Sequence, residues 1–403
     1  MKKTLPYSLW VLFLLLCLNP GAVFAQQVGP VDLTFWARNQ ATADLLQTLF
    51  DDWAAENAPG STLRVHTYGS QLNSEVLTAG QLPDALIDIG ELLPLYASAG
   101  LLLPLEQYFD LGVYDRALVT AGQVQGVSYG LPLFSGGHLM LIFDNTLVSA
   151  PPRTFDELLA LVAQIEAEHS DVFGLVFPVN EPHYLMPFAF GFGGSIFDNQ
   201  GNFTLDTPSW VEALRFMRTL ADIVPENCDA VCTDELFLGG SAAMVIAPDT
   251  SLNTYLSDDQ TYSFVGIAPW PVLPSGQRPR SYISAEYASI PVTTDGDKLA
   301  VVTGFFNWMT TQSDVAVPVA LGFGVLPSVT ALQNDSRIAD DPLMSISLEV
   351  YRDGLGAPSS TRMGCLWQAL QDPLNAVLSD SLSPQDAAAQ AQLQASDCAA
   401  RLG

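Results

Sequence analysis

Between residues 31 and 89 the hydrophobic pattern switches repeatedly between two periods, and this alternation restricts the fold more than any other stretch of the chain. Val31-Asp32-Leu33-Thr34-Phe35-Trp36 alternates as a strand with one buried face does. Leu45, Leu46, Leu49, Phe50 and Trp53 then recur at helical spacing, and Pro59–Gly60 closes that segment. Leu63 to Tyr68 alternates again, Gln71 to Ala79 reads as a short helix, and Ala85-Leu86-Ile87-Asp88-Ile89 reads as a buried strand. Strand, helix, strand, helix, strand is the pattern of an α/β sheet covered by helices.

A second unit begins after Gly130-Leu131-Pro132. Thr154-Phe155-Asp156-Glu157 has capping-box spacing and opens a helix to about Glu168. Val172 to Phe177 is an apolar strand candidate, and Phe197 to Leu205 has the look of a hairpin turning at Asp198-Asn199-Gln200-Gly201. Thr207–Pro208 supplies a cap and a first-turn proline for a helix from Trp210 to Ile223. Ala243 to Ala247, Tyr262 to Ala268 and Ser284 to Pro291 read as strands, and Lys298 to Thr310 as a helix. The Pro-rich run Trp270 to Gly276 is loop-like enough to be a crossing between domains, Pro327 ends the apolar run Leu321 to Leu326, and the chain from Asp341 onward is helical in composition.

At 403 residues the chain is long enough for two or more domains, each with its own core. Its N-terminus has a basic start (Lys2, Lys3), an apolar run from Leu9 to Leu18, the breaker pair Pro20–Gly21, and Val23-Phe24-Ala25 before Gln26. These features predict a secretory signal peptide over residues 1–25, and hence an exported chain, periplasmic or extracellular, cleaved near Ala25. No later run reaches the roughly 20 unbroken apolar residues of a membrane span. Leu16 stands before Cys17 where a lipid-attachment site needs a small residue, which argues against a lipid anchor.

Formal net charge is −28, and Lys298 is the one lysine beyond Lys3. A chain so poor in cations is badly suited to nucleic acid or anionic membranes, whose binding depends on Lys/Arg patches that release counterions. Signal removal would delete two lysines and no acid, deepening the imbalance. In an exported chain the four remaining cysteines suggest two disulfides. Of the three connectivities, Cys228–Cys232 as a small loop staple with Cys365–Cys398 pinning the C-terminal tail is favoured. A zinc site lacks partners, since no histidine lies near either pair.

Catalytic motifs are missing. His66, His138, His169 and His183 show no i,i+4 pairing; His66 alternates in a strand and His169 ends a helix, so both read as structural. Gly193-Gly194-Ser195 and Gly239-Gly240-Ser241 lack the second glycine of a nucleophile elbow, and Gly191-Phe192-Gly193 precedes a turn rather than following a strand. Neither metal nor cofactor is expected. The remaining enzymatic reading is a secreted carbohydrate-active enzyme, because two of 43 acids can meet in space without a sequence signature.

Ordered landmarks along the chain carry a resemblance. They are Phe35–Trp36, Gln81-Leu82-Pro83-Asp84-Ala85-Leu86-Ile87-Asp88, Ala99 to Leu105, Gly126 to Leu133, Leu141-Ile142-Phe143-Asp144, Pro152 to Leu158, Phe237 to Met244 and Leu321 to Pro327. In this order they resemble the extracellular solute-binding proteins of ABC importers, in the cluster that includes maltose-binding protein. The resemblance implies an α/β fold of two lobes with interleaved chain crossings and a ligand cleft between them. Residues 26–134 plus 284–327 would form one lobe, and 135–283 plus 328–403 the other. It also implies a non-enzymatic monomer that captures a small molecule by hinge closure and presents it to a membrane permease.

Carried over position by position, the resemblance places Asp88 and Glu91 where an aromatic and an acid are expected. Ser135 and His138 fall at the cleft entry, where the maltose-type pattern has a glutamate. Glu181-Pro182-His183-Tyr184 matches a Glu-Pro-aromatic motif, Asp249 stands where a tryptophan is frequent, and Trp367 keeps the spacing of a sugar-stacking tryptophan. Asn39 and Gln40 follow the first strand as further candidate contacts. Acids and amides satisfy sugar hydroxyls, and aromatic rings pack on the C–H faces of a pyranose, so the set suits a mono- or oligosaccharide. The same acids suit a polyamine or another small solute, the rival ligand class.

Overall fold

The computed structural model describes residues 29–69, 82–256 and 264–402. The expected signal peptide, the Gln71–Ala79 helix and the start of the Tyr262–Ala268 strand lie outside these residues. The strands are β1 (Asp32–Ala37), β2 (Thr62–Thr67), β3 (Ala85–Ile89), β4 (Gln123–Val124), β5 (Val127–Ser128), β6 (Leu131–Gly136), β7 (Leu139–Asp144), β8 (Met244–Pro248), β9 (Val265–Ala268), β10 (Tyr282–Ser289), β11 (Leu326–Pro327) and β12 (Leu355–Gly356). The larger sheet runs β11-β6-β10-β3-β1-β2, with β12 beside β10. β1 lies parallel to β2 and β3, as the opening alternation requires, whereas β10 is antiparallel to both β3 and β6. A smaller antiparallel sheet runs β8-β7-β9. Two sheets linked by short crossings give the two-lobe α/β architecture.

The helices Gln40–Asn57 and Gly296–Thr311 cover the larger sheet. Their apolar stripes meet in an aromatic cluster in which Phe35 stacks on Phe306 at 5.4 Å and Phe50 meets Phe305 edge-on at 5.3 Å. Full burial of a Phe side chain contributes about 1.5–3 kcal/mol, so this cluster anchors both helices to the sheet. Lys298 holds the second helix electrostatically, its ammonium 3.0 Å from both oxygens of Asp84. Asp84 also accepts the Thr34 N–H at 2.8 Å, tying that helix to β1.

In the other lobe, Thr154 Oγ1 caps helix Phe155–Glu168 by accepting the Glu157 N–H at 3.1 Å. The Glu157 carboxylate reaches back to the Arg153 N–H at 2.7 Å, one residue earlier than a capping box would have it. Cys228 is joined to Cys232 beside helix Ala230–Leu238, and Cys365 to Cys398 between helices Met363–Leu378 and Pro384–Leu402.

Several local expectations fail for physical reasons. The Thr207 side chain does not cap its helix; its hydroxyl donates to the Thr204 carbonyl instead. Phe197–Leu205, by contrast, does turn back as a short hairpin: Phe197 bridges Phe203 antiparallel, the Thr204 N–H donates to the Ile196 carbonyl, and the Asp198 side chain accepts the Gln200 and Asn202 N–H groups within the turn. Val172–Phe177 follows the edge of β8 only through isolated bridges at Phe173 and Val176. Gly174 there presses on the covering helix so closely that a Cβ would stand 2.6 Å from Val162 Cα. Trp270–Gly276 is no crossing: Val272 exchanges hydrogen bonds with Arg153 and Phe155, and the Trp270 indole donates to Ser281 Oγ at 3.0 Å.

Candidate functional site

The chain passes from the larger to the smaller sheet at Gly136–His138, where β6 runs almost directly into β7, and returns at Ser281, just before β10. Gly137 adopts φ +77°, a conformation that favours glycine, so the crossing turns within a single residue. Buried polar groups fix this turn. Asp249 Oδ1 accepts the N–H groups of Gly137 at 2.8 Å and Thr250 at 2.9 Å. His138 Nδ1 lies 3.1 Å from Asp249 Oδ2, at ion-pair distance but out of line for a hydrogen bond, and His138 Nε2 is 3.0 Å from Ser347 Oγ.

A cavity of about 460 Å³ opens over the crossings. The loop after β1 brings Arg38, Asn39 and Thr42 to it, β6 brings Phe134 and Gly136, and the segment after β8 brings Thr250 and Asn253. Strand alternation aims Tyr282, Ser284 and Glu286 to one face of β10, and the last two line the cavity. Phe323 completes the wall, its ring stacked on Phe134 at 5.9 Å with an interplanar angle of 6°.

Glu286 is the central acid of this cavity. Thr42 Oγ1 donates to its Oε2 at 2.8 Å, and Asn39 Nδ2 to its Oε1 at 3.3 Å. Burial pushes its carboxyl up to about 7; the Thr42 hydrogen bond opposes that rise, Asp88 adds to it, and Arg38 and Asn39 oppose it. Arg38 in turn rests on Asp88, with Nη1 3.4 Å from Oδ1. Burial also raises the Asp88 carboxyl above its usual range, against the pull of the Ile89 N–H, Tyr68, Arg38 and Tyr96.

A second cluster stands at the start of β10. Glu91 Oε1 accepts the Tyr282 hydroxyl and Oε2 the Trp367 indole N–H, both at 2.8 Å. The His183 ring meets Tyr282 at 6.1 Å and Trp367 at 6.2 Å. Burial lowers the His183 pKa, opposed by the Gly137 carbonyl and the charge of Asp249, which places this ring near the crossing too.

The structure thus brings Asn39 to the cavity and joins Glu91, His183 and Trp367 beside it. Other expected contacts are placed differently. Asp88, His138, Tyr184 and Asp249 are buried at 1%, 0%, 4% and 0% exposure and offer a ligand no surface. Asp88 supports Arg38, His138 and Asp249 hold the crossing, and Tyr184 packs on Phe177 in the lobe core. Ser135 borders the cavity, but its hydroxyl is buried and donates to the Leu326 carbonyl. Gln40 turns its amide to Asp44 along the helix surface. Glu181 precedes helix Pro182–Gly191 with no side-chain hydrogen bond among the described residues, its carboxyl raised by burial and by Asp229. Arg38, Thr42, Tyr282, Glu286 and Phe323 were not anticipated. For Glu286 a signal existed: it is the one charged residue in the strand Tyr282–Ser289.

Comparison with known proteins decides the family. The sequence model described as bacterial extracellular solute-binding protein matches residues 48–346. The chain belongs to that family. Among relatives of this solute-binding protein, the maltotriose-binding protein of Pyrococcus abyssi is 27% identical over 312 residues, covering 75% of this chain and 67% of that protein. The maltose/maltodextrin-binding domain of Bdellovibrio bacteriovorus, solved with maltotriose, superimposes with a TM-score of 0.79 at 25% identity, covering 91% of this chain and 99% of that one. The GacH receptor of Streptomyces glaucescens, solved unliganded and with acarbose, gives a TM-score of 0.81 at 20% identity over 92% of this chain and 98% of its own. The two solved structures share the fold described above. Among the described residues no helix of this solute-binding protein is long and apolar enough to cross a membrane, and no group of three or more His, Cys, Asp or Glu stands ready to hold a metal ion.

Proposed function

We propose that this solute-binding protein is the exported capture component of an ABC importer, which takes a mono- or oligosaccharide into the cleft between its lobes, closes by hinge motion and delivers the sugar to a membrane permease. On this reading residues 1–25 are a cleaved signal peptide. One lobe comprises residues 26–134 plus 284–327, the other 135–283 plus 328–403, and the chain acts as a monomer. The observation that carries the reading is a cavity at the crossings that sets an aromatic pair, Phe134 and Phe323, alongside the hydrogen-bonding groups of Asn39 and Glu286. Sugars need both kinds of surface. Asn39, Glu91, His183 and Trp367 are proposed contacts around it, with Glu181 at the adjoining helix start.

A polyamine fits the same cavity less well, because the Arg38 guanidinium stands in its lining and opposes a second cation. Hydrolysis by paired carboxylates needs a free second acid beside Glu286. Asp88 is buried under Arg38, and Glu91 is engaged by Tyr282 and Trp367.

Thermal unfolding in the presence of glucose, maltose, maltotriose, trehalose, putrescine and spermidine tests the reading. A ligand at 100 times its Kd stabilises the native state by about 2.7 kcal/mol, so at least one sugar is expected to raise Tm by several degrees. A shift with the polyamines and with none of the sugars would overturn the carbohydrate assignment.

A further inference from the structure

Glu286 has acceptor capacity that the described residues of its own lobe do not use. Each carboxylate oxygen can accept two hydrogen bonds. Oε2 receives one from Thr42 and Oε1 a long one from Asn39, so each oxygen keeps a position open toward the cavity. The two donors are themselves fixed. Asn39 caps helix Gln40–Asn57 by accepting the Thr42 N–H at 2.8 Å, and Thr42 is 2% exposed, so the plane of the carboxylate is set before any ligand arrives. The other acids nearby are placed differently, Glu91 because it lies outside the cavity lining and Asp88 because it is sealed beneath Arg38.

Resting on the carbohydrate reading above, we propose that Glu286 determines ligand specificity: its two oxygens receive two neighbouring hydroxyls of one sugar ring, while the Phe323 ring packs the C–H face of that ring. Paired acceptors on one carboxylate match a vicinal diol, and a stacked aromatic beside them matches a flat pyranose. Arg38, on its Asp88 support, adds a donor at the same end of the cavity.

Among the described residues the charged groups facing Glu286 are Arg38 and Asp88; Asn39 and Thr42 are neutral, and its strand neighbours Ile89 and Phe134 carry no charge. With the carboxyl held near 7, the ionised acceptor grows from a minor to the major form between pH 6 and pH 8. The ratio of ionised fractions is then about tenfold. Affinity for a sugar is expected to rise by that order over this range.

Isothermal titration calorimetry with maltotriose and its monodeoxy analogues, on wild type and Glu286→Gln, tests the proposal, and circular dichroism checks that the variant is folded. Wild type is expected to bind tenfold or more tighter than Glu286→Gln at pH 8, and the variant to lose the pH dependence. At least one monodeoxy analogue should narrow the gap between the two proteins, since one of the two hydroxyls that Glu286 reads is then missing. If wild type binds maltotriose and the folded variant matches it within twofold at pH 8, the role of Glu286 is overturned while the carbohydrate reading stands. If wild type binds neither maltotriose nor any other sugar of the thermal panel, both fall together.

Discussion

Asp249→Ala is expected to lower the stability of the folded chain by about 2–6 kcal/mol, because it leaves two backbone donors at the crossing without their acceptor. The substitution orphans the Gly137 and Thr250 N–H groups, each costing roughly 1–3 kcal/mol when buried without an acceptor. Asp249→Asn, which keeps an oxygen for the two N–H groups, should lose well under half as much. Denaturant unfolding of the two variants measures the difference. Equal midpoints for Asn and Ala would show that the backbone donors do not depend on this side chain, and the account of the crossing would be wrong. Because the same turn aligns β6 with β7 across the lobes, Asp249→Ala should also weaken whatever the cleft binds, although Asp249 itself has no surface there.

The second large effect concerns the C-terminal helix. Pro384–Leu402 packs through Ala387, Ala388, Ala391, Ala395 and Ala399, side chains too small to bury much apolar area. Gln392 adds hydrogen bonds to Phe203 and Leu205, and Cys398 ties the helix to Cys365 across 33 residues. Loop-closure entropy for a link of that span is worth roughly 3–4 kcal/mol, against about 2 for the short Cys228–Cys232 loop. The paired change of Cys365 and Cys398 to Ala should therefore destabilise the chain more than the same change at Cys228 and Cys232. Hydrogen exchange should show the loss concentrated in Pro384–Leu402. Uniform exchange across the chain, or a larger effect at Cys228–Cys232, would contradict this.

What could be read in the sequence divides along physical lines. Periodicity reports which face of an element is buried, so β1, helix Gln40–Asn57, β2 and β3 were legible from Phe35, Phe50, Trp53 and the apolar run at Ala85. The Thr154 cap was legible because its chemistry is local. Local signals misled where a side chain had a nearer partner, as with Thr207 and its bond to Thr204. The site was less legible, because its acids look alike in one dimension. Asp88, Asp249 and Glu286 are all acids in or beside strands, yet the first two are buried supports and the third faces the cavity. Only long-range partners distinguish them: Arg38 across 50 residues, Gly137 across 112 and Thr42 across 244.

The central claim is that the cleft over the crossings holds a sugar, and a crystal structure of the chain grown with maltotriose tests it most directly. The account predicts electron density for sugar between the lobes, with one ring against Phe323 and two adjacent hydroxyls within hydrogen-bond distance of Glu286. Density for the sugar only at the outer surface, with the cleft free of it at saturating maltotriose, would contradict the account.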